Sequence, residues 1–218
     1  NKNNNKIKPF FVTKYFQRNY NYDSSGNIIL LGASCRKYYF SSSSGQFPTY
    51  NKKLIKYNTE FINNLNTDSF NKLIYRFHWD MGYHEKEILK KKFPKLKMSF
   101  REDETHFYNL LFKSKLIIIT TDYTTNKQTF LLNHPTLLLW DDEYFKIRPE
   151  VKINYDILHN AGILYYSPYE CSKKVNEIQK DPMSWWLSND VQNAKNQFCN
   201  CLSRDASNIS KELSKIIK

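Results

Sequence analysis

The sequence predicts an α/β fold built on one doubly wound parallel sheet, with extra helices at its carboxyl-terminal end. Three observations carry this. Short apolar runs at Asn27–Ser34, Leu73–Phe77, Leu96–Phe100, Leu116–Ile119, Thr136–Trp140 and Ile163–Tyr165 lack a clean polar alternation, as strands buried on both faces do. The segments between them carry apolar residues at helical spacing. No internal repeat or low-complexity block competes with a strand, helix, strand order repeated about six times.

In chain order, residues 1–26 are polar and Asn-rich around an aromatic interlude and end in the turn signal Asp23–Gly26, so they read as a linker or docking arm. The domain proper spans 27–204. Its first strand ends in the small, flexible loop Ser41–Phe47, which can fold around a ligand or simply be solvated. Pro48 opens a helix running to about Leu65, with Tyr50, Leu54, Ile55, Tyr57, Phe61 and Ile62 at helical spacing. Helices follow at Glu85–Phe93, Glu104–Ser114 and Thr124–Asn133, the last capped by Thr124 or Thr125 and closed by Asn133, His134 and Pro135. Pro149 begins a helix that Gly162 terminates, and Ser167 caps one running to Lys180. Trp185 and Trp186 fall between helices, Asp190–Arg204 is a long helix, and 205–218 is an amphipathic tail.

Ligands of open parallel sheets bind just past the carboxyl ends of the strands. Two such ends flank Thr124–Asn133. At Thr120, Thr121, Thr124 and Thr125, hydroxyls and backbone N–H groups at a helix start suit a diphosphate. At Trp140, Asp141, Arg148 and Glu150, an indole, carboxylates and a guanidinium suit a phosphorylated sugar or nucleotide. A third end, His78–Tyr83, follows Arg76, a charge on a strand that needs a partner, with Asp80 within reach. The plain alternatives stay open: Thr124 as a cap, Trp140 as packing, Arg148 paired with Glu150, Arg76 with Asp80, and His78 as a hydrogen-bonded strand-end histidine.

Bulk properties narrow the classes. With 218 residues, 40% hydrophobic and 16% aromatic, the chain can bury a full core. Its apolar segments are too short or too interrupted by charge to span a bilayer. No apolar run of a secretory signal stands at the start, and a chain beginning at Asn1 reads as part of something longer. The net charge of +12 raises a polyanion partner, but the Asn, Lys, Ile, Tyr and Phe bias and the helical setting of Lys86–Lys97 favour solvated faces over specific nucleic-acid binding. Cys35, Cys171, Cys199 and Cys201 show no metal spacing and read as reduced thiols in a cytoplasmic protein.

Five ordered motifs, GASCRKYYFSSSSGQF, YRFHWDMGYHEKEILKKKFPKLKM, SKLIIITTDYTTNKQTFLLNHPTLLLWDDEYFKIRPE, ILHNAGILYYSP and WWLSNDVQNAKNQFC, resemble the carboxyl-terminal half of a transferase family of bacterial surface-polysaccharide and O-antigen gene clusters, over about Asn27–Arg204. The resemblance implies a Rossmann-like donor domain of the GT-B glycosyltransferase type, one of two facing domains. It further implies a donor site on Gly45, Gln46, Arg76, Asp80, Gly82, Thr124, Thr125, Trp140, Asp141, Arg148, Pro149 and Glu150. Gln128 stands where related sequences carry a Glu that accepts ribose hydroxyls, an amide in place of a charge.

The implied reaction transfers a sugar from a nucleotide-activated donor to a saccharide or lipid-linked acceptor. An absent amino-terminal half would hold the acceptor and supply the base. Helix amides and Arg76 or Arg148 would receive the leaving phosphate. No metal or cofactor beyond the nucleotide sugar as co-substrate is expected, and work is expected in the cytoplasm, the inner face of the plasma membrane included, with at most peripheral membrane contact. A basic nucleic-acid or polyanion-binding module and a non-catalytic remnant are the competing readings.

Overall fold

The computed structural model describes residues 21–32, 48–77, 82–100, 107–122, 124–203 and 214. Six strands run through them: β1 (Asn27–Leu31), β2 (Leu73–Arg76), β3 (Lys97–Ser99), β4 (Ser114–Ile119), β5 (Thr136–Leu139) and β6 (Leu164–Tyr165). The helices are α1 (Pro48–Asn63), α2 (Thr67–Lys72), α3 (Glu85–Lys92), α4 (Phe107–Phe112), α5 (Thr124–Leu131), α6 (Pro149–Asn160), α7 (Pro168–Ile178), α8 (Pro182–Trp186) and α9 (Asn189–Leu202). All strand pairs are parallel, in the order β3-β2-β1-β4-β5-β6.

The chain steps outward from β1 to β3, returns to β4 beside β1, and steps outward again to β6. Crossovers keep one hand, so reversing the direction moves the connecting helices to the opposite face. Successive side chains of a strand point to opposite faces. Leu116 and Ile118 of β4 accordingly join Phe61, Leu89 and Val175 from α1, α3 and α7. Ile117 and Ile119 join Leu111, Phe130, Leu158 and Phe198 from α4, α5, α6 and α9. This is the doubly wound, Rossmann-like sheet expected from the buried strands.

Several boundaries differ from the sequence reading, each for a local reason. The helix expected from Pro48 to about Leu65 ends at Asn63. Asn66 then accepts from the Ser69 N–H at 2.8 Å and starts the separate short helix α2. Trp185 and Trp186 lie within α8 rather than between helices, because the Asp181 carboxylate accepts from the Ser184 N–H at 3.1 Å and Pro182 occupies the first turn.

Asn133, just past α5, adopts a left-handed φ of 53°. Its side-chain oxygen accepts from Trp186 Nε1 at 3.1 Å, Gln192 Nε2 at 3.1 Å and Lys195 Nζ at 2.7 Å, which ties α8 and α9 to the sheet. Next to it, His134 is fully buried, with Nδ1 on the Pro135 carbonyl at 2.9 Å and Nε2 on the Ser114 hydroxyl at 3.1 Å. Burial lowers its pKa to about 4.

At the other end of the sheet, a Cβ on Gly32 would lie 2.6 Å from the Tyr75 hydroxyl. Tyr75 is fully buried; it donates to Glu85 and accepts from Asn58 Nδ2 at 2.7 Å, so it has no room to yield. Gly32→Ala is therefore expected to destabilise the fold by about 1–3 kcal/mol, the usual cost of overpacking, read as a lower urea midpoint at unchanged slope.

Unfolded imidazole takes up its proton near pH 6.5 and folded His134 only near 4. Between those values the unfolded chain binds more protons, so the contribution of neutral His134 is complete above pH 6.5 and is lost as pH falls towards 4. Over that window the loss should approach about 3 kcal/mol, and His134→Gln should flatten that part of the stability profile.

Candidate functional site at the carboxyl rim of the sheet

The site follows from strand register. Ser99, Arg76, Leu31, Ile119 and Leu138 form one row across β3, β2, β1, β4 and β5, so the residues after them share a single rim. Thr120 and Thr121 continue β4, Trp140 and Asp141 continue β5, and α5 starts from the same rim at Thr124. The reversal in strand order lies between β1 and β4, where an open α/β sheet leaves a crevice. Gly45, Gln46, His78 and Asp80 lie outside the described residues.

Alternation then divides these side chains between the two faces. Leu73, Tyr75 and Phe77 point toward α1 and α3, so Arg76 points the other way. It is buried, with Nη1 donating to Ser99 Oγ at 2.7 Å and to the Phe100 carbonyl. Its guanidinium braces the end of β3 rather than standing open on the rim. Trp140 points to the same face and packs on Tyr155 with ring centroids 5.4 Å apart. Its buried Nε1 has no hydrogen-bond partner among the described residues. β2 and β5 are three strand spacings apart, about 14 Å at ~4.8 Å each. Arg76 and the end of β5 therefore cannot grip one phosphate together.

Asp141 points toward α1, where Lys53 Nζ lies 2.8 Å from its Oδ2 and also binds the Glu143 carboxylate. Asp141 Oδ1 accepts from the Glu143 N–H at 2.9 Å. These two carboxylates, Asp141 first, raise the Lys53 pKa above the ordinary lysine range. Around this pair, Tyr50 packs on Tyr144 and Phe145, and Tyr57 donates to the Tyr166 carbonyl at 2.5 Å. The first half of α1 is thus fastened to the segments that follow β5 and β6. Nothing in the periodicity of α1 singled out Lys53, because a partly exposed helical lysine looks like any other.

Just past β4, Thr120 Oγ1 donates to the Leu31 carbonyl at 2.9 Å and bridges the two strands at the reversal. Thr121 is buried, Thr125 half-buried and Thr124 exposed. Gln128 is buried, and its Nε2 lacks a partner among the described residues. Asp122 accepts from Asn126 Nδ2 at 3.0 Å and from the Tyr155 hydroxyl at 2.8 Å. Burial, and then Asp122, push the Tyr155 pKa above its ordinary value. A carboxylate thus already faces the start of α5, which lessens the attraction of that helix end for a phosphate. Arg148, the N-cap residue of α6, and Glu150 in its first turn are exposed, and among the described residues neither forms an ion pair. Among the described residues between β5 and α6, Arg148 and Lys146 are the exposed cations without an ion pair.

No group of His, Cys, Asp and Glu placed to hold a metal ion occurs among the described residues. None of their helices is long and apolar enough to cross a membrane. Lys53→Met should leave the buried Asp141 carboxylate without its cation and lower the melting temperature. Asp141→Asn in that background should recover part of the loss, a non-additivity that a double-mutant cycle would measure.

No curated protein sequence matches the chain. Among solved structures, a histidine-to-alanine variant of the wall teichoic acid polymerase TagF is similar at a TM-score of 0.50 and 15% identity, over 91% of this chain and 44% of that one. Unsubstituted TagF gives 0.49 and 15% over the same shares. The chain thus spans less than half the length of these neighbours, and at such identity the likeness speaks for the fold alone. The description that fits the sequence, LIC12162 family transferase, matches residues 1–217, beyond the Asn27–Arg204 stretch that the motifs covered. The chain belongs to the LIC12162 family of transferases.

Proposed function

We propose that the chain is the donor-binding half of a glycosyltransferase that moves a sugar from a nucleotide-activated donor to a saccharide or lipid-linked acceptor in bacterial surface polysaccharide or O-antigen synthesis. The observation that carries this reading is the polar rim at the strand-order reversal of a transferase-family domain. There Thr124 and Thr125, at the start of α5, lie on the same edge as the exposed guanidinium of Arg148.

In the proposed reaction an acceptor hydroxyl oxygen bonds to the anomeric carbon of the donor sugar as the bond from that carbon to the phosphate oxygen breaks. The hydroxyl proton passes to a base on a facing amino-terminal half, and the nucleoside diphosphate leaves with the electron pair. Arg148 is the residue we assign to the departing charge. Arg76, held by Ser99 and Phe100, serves by keeping the β2 and β3 ends in place. Gln128 offers an amide, without a charge, to donor hydroxyls. The nucleotide sugar is the co-substrate, and the reaction as drawn calls for no metal.

Titration of the chain with nucleoside diphosphates and nucleotide sugars in a calorimeter tests the reading. Binding should weaken about 10–100-fold in Arg148→Ala, the loss of one charge-assisted hydrogen bond of about 1.5–3 kcal/mol. Absence of binding to every nucleotide, or binding that Arg148→Ala leaves unchanged, would remove the support for this site.

A further inference from the structure

Among the described residues, a dense run of exposed lysines lies along the β3 edge of the sheet. Lys86, Lys90, Lys91 and Lys92 on α3, Lys95 in the following turn and Lys97 on β3 are all exposed. Between residues 82 and 100 the one exposed acid is Glu87, since Glu85 is buried. None of the six lysines makes an ion pair among the described residues. The Lys86 and Lys92 ammonium groups lie over the rings of Phe100 and Phe93 at 4.4 and 5.8 Å, so these rings are covered by cations instead of standing open.

Ordinary explanations account for part of the strip. Lys90, Lys91 and Lys92 sit in the last turn of α3, where cations complement the helix dipole. Lys97 lies on an edge strand, where a charge discourages pairing with another sheet. Neither explanation covers Lys86 or Lys95, nor Ile88. That side chain is 44% exposed, while Lys91 and Lys92, three and four residues further on, flank it on the same side of the helix. Like charges this dense repel one another, and an anionic surface relieves that repulsion. An apolar side chain set among cations matches a bilayer interface, in which headgroups meet the lysines and the isoleucine enters the acyl boundary.

We propose that the Lys86–Lys97 strip, with Ile88 beside Lys91 and Lys92 on α3, is a docking surface for a lipid bilayer carrying anionic headgroups. Nucleic acid is the weaker fit, because single-stranded ligands bind through exposed aromatic stacking platforms, and the two rings in the strip are half-buried under lysines. This surface is separate from the rim residues assigned to the donor, so its failure and theirs are distinguishable.

Co-sedimentation of the 218-residue chain with vesicles tests the proposal. The chain should bind phosphatidylcholine vesicles that contain phosphatidylglycerol and not vesicles of phosphatidylcholine alone, with binding lost at high salt. Triple substitution Lys90→Glu, Lys91→Glu, Lys95→Glu should weaken binding about 100-fold or more, at roughly fivefold per neutralised lysine. The control Lys52→Glu, Lys173→Glu, Lys180→Glu changes net charge by the same amount on exposed lysines elsewhere and should leave binding nearly unchanged. Ile88→Ser should weaken binding several-fold while the salt dependence persists. Absence of binding to anionic vesicles, equal losses in the two triple variants, or binding of an oligonucleotide where vesicles fail would each overturn the proposal.

Discussion

A strand excluded from water on both faces needs helices above and below it, and β4 and β5 are buried at every residue. Helices reach both faces of one sheet only if the chain reverses its direction of travel, and here the reversal falls between β1 and β4. The crossovers from β1 and β2 use α1, α2 and α3 on one face, and those from β3, β4 and β5 use α4, α5 and α6 on the other. Their departure in opposite directions places the strand-order reversal at the carboxyl rim, where open α/β sheets have their crevice. Burial of apolar strands therefore positions the site before any polar residue takes part.

The same alternation that builds the two cores also sorts the rim. Consecutive residues Trp140 and Asp141 leave β5 in opposite directions, one into the aromatic cluster with Tyr155 and the other to Lys53. Burying the Asp141 carboxylate demands a cation, and the chain supplies it from α1, nearly ninety positions earlier. This ion pair and the Tyr57 bond to the Tyr166 carbonyl hold the first half of α1 beside the segments after β5 and β6. That part of the rim is consequently structure, and Arg148 is among the described residues that present charge outward.

Polar residues serve a second purpose at the opposite end of the sheet. One amide oxygen on Asn133 collects donors from Trp186, Gln192 and Lys195, and it can do so because Asn tolerates the left-handed backbone there. Burial lowers the Lys195 pKa, and this neutral acceptor takes the place of a carboxylate. The helices that extend the sheet domain are thereby fixed to the connection between α5 and β5, remote from the rim.

Much of the fold was legible because its determinants are local or periodic. Apolar runs marked the strands, Pro149, Ser167 and Gly162 marked helix ends where the structure has them, and the absence of polar alternation implied a parallel sheet. Strand register puts the residues that follow Arg76, Ile119 and Leu138 on one rim, while the Arg76 side chain itself is taken up by Ser99 and the Phe100 carbonyl. What the linear pattern could not contain is which side chain meets which. Arg76 turning to Ser99, Asp141 to Lys53, and Asp122 to Tyr155 are contacts between residues 23, 88 and 33 positions apart, created only when separate strands and helices pack. Sequence alone determined that this protein is a doubly wound sheet with a polar carboxyl rim, because burial and periodicity are written residue by residue. Tertiary structure decided which of the rim's charges are spent on bracing the fold and which remain open, because a charge is committed by the partner that packing brings within about 3 Å.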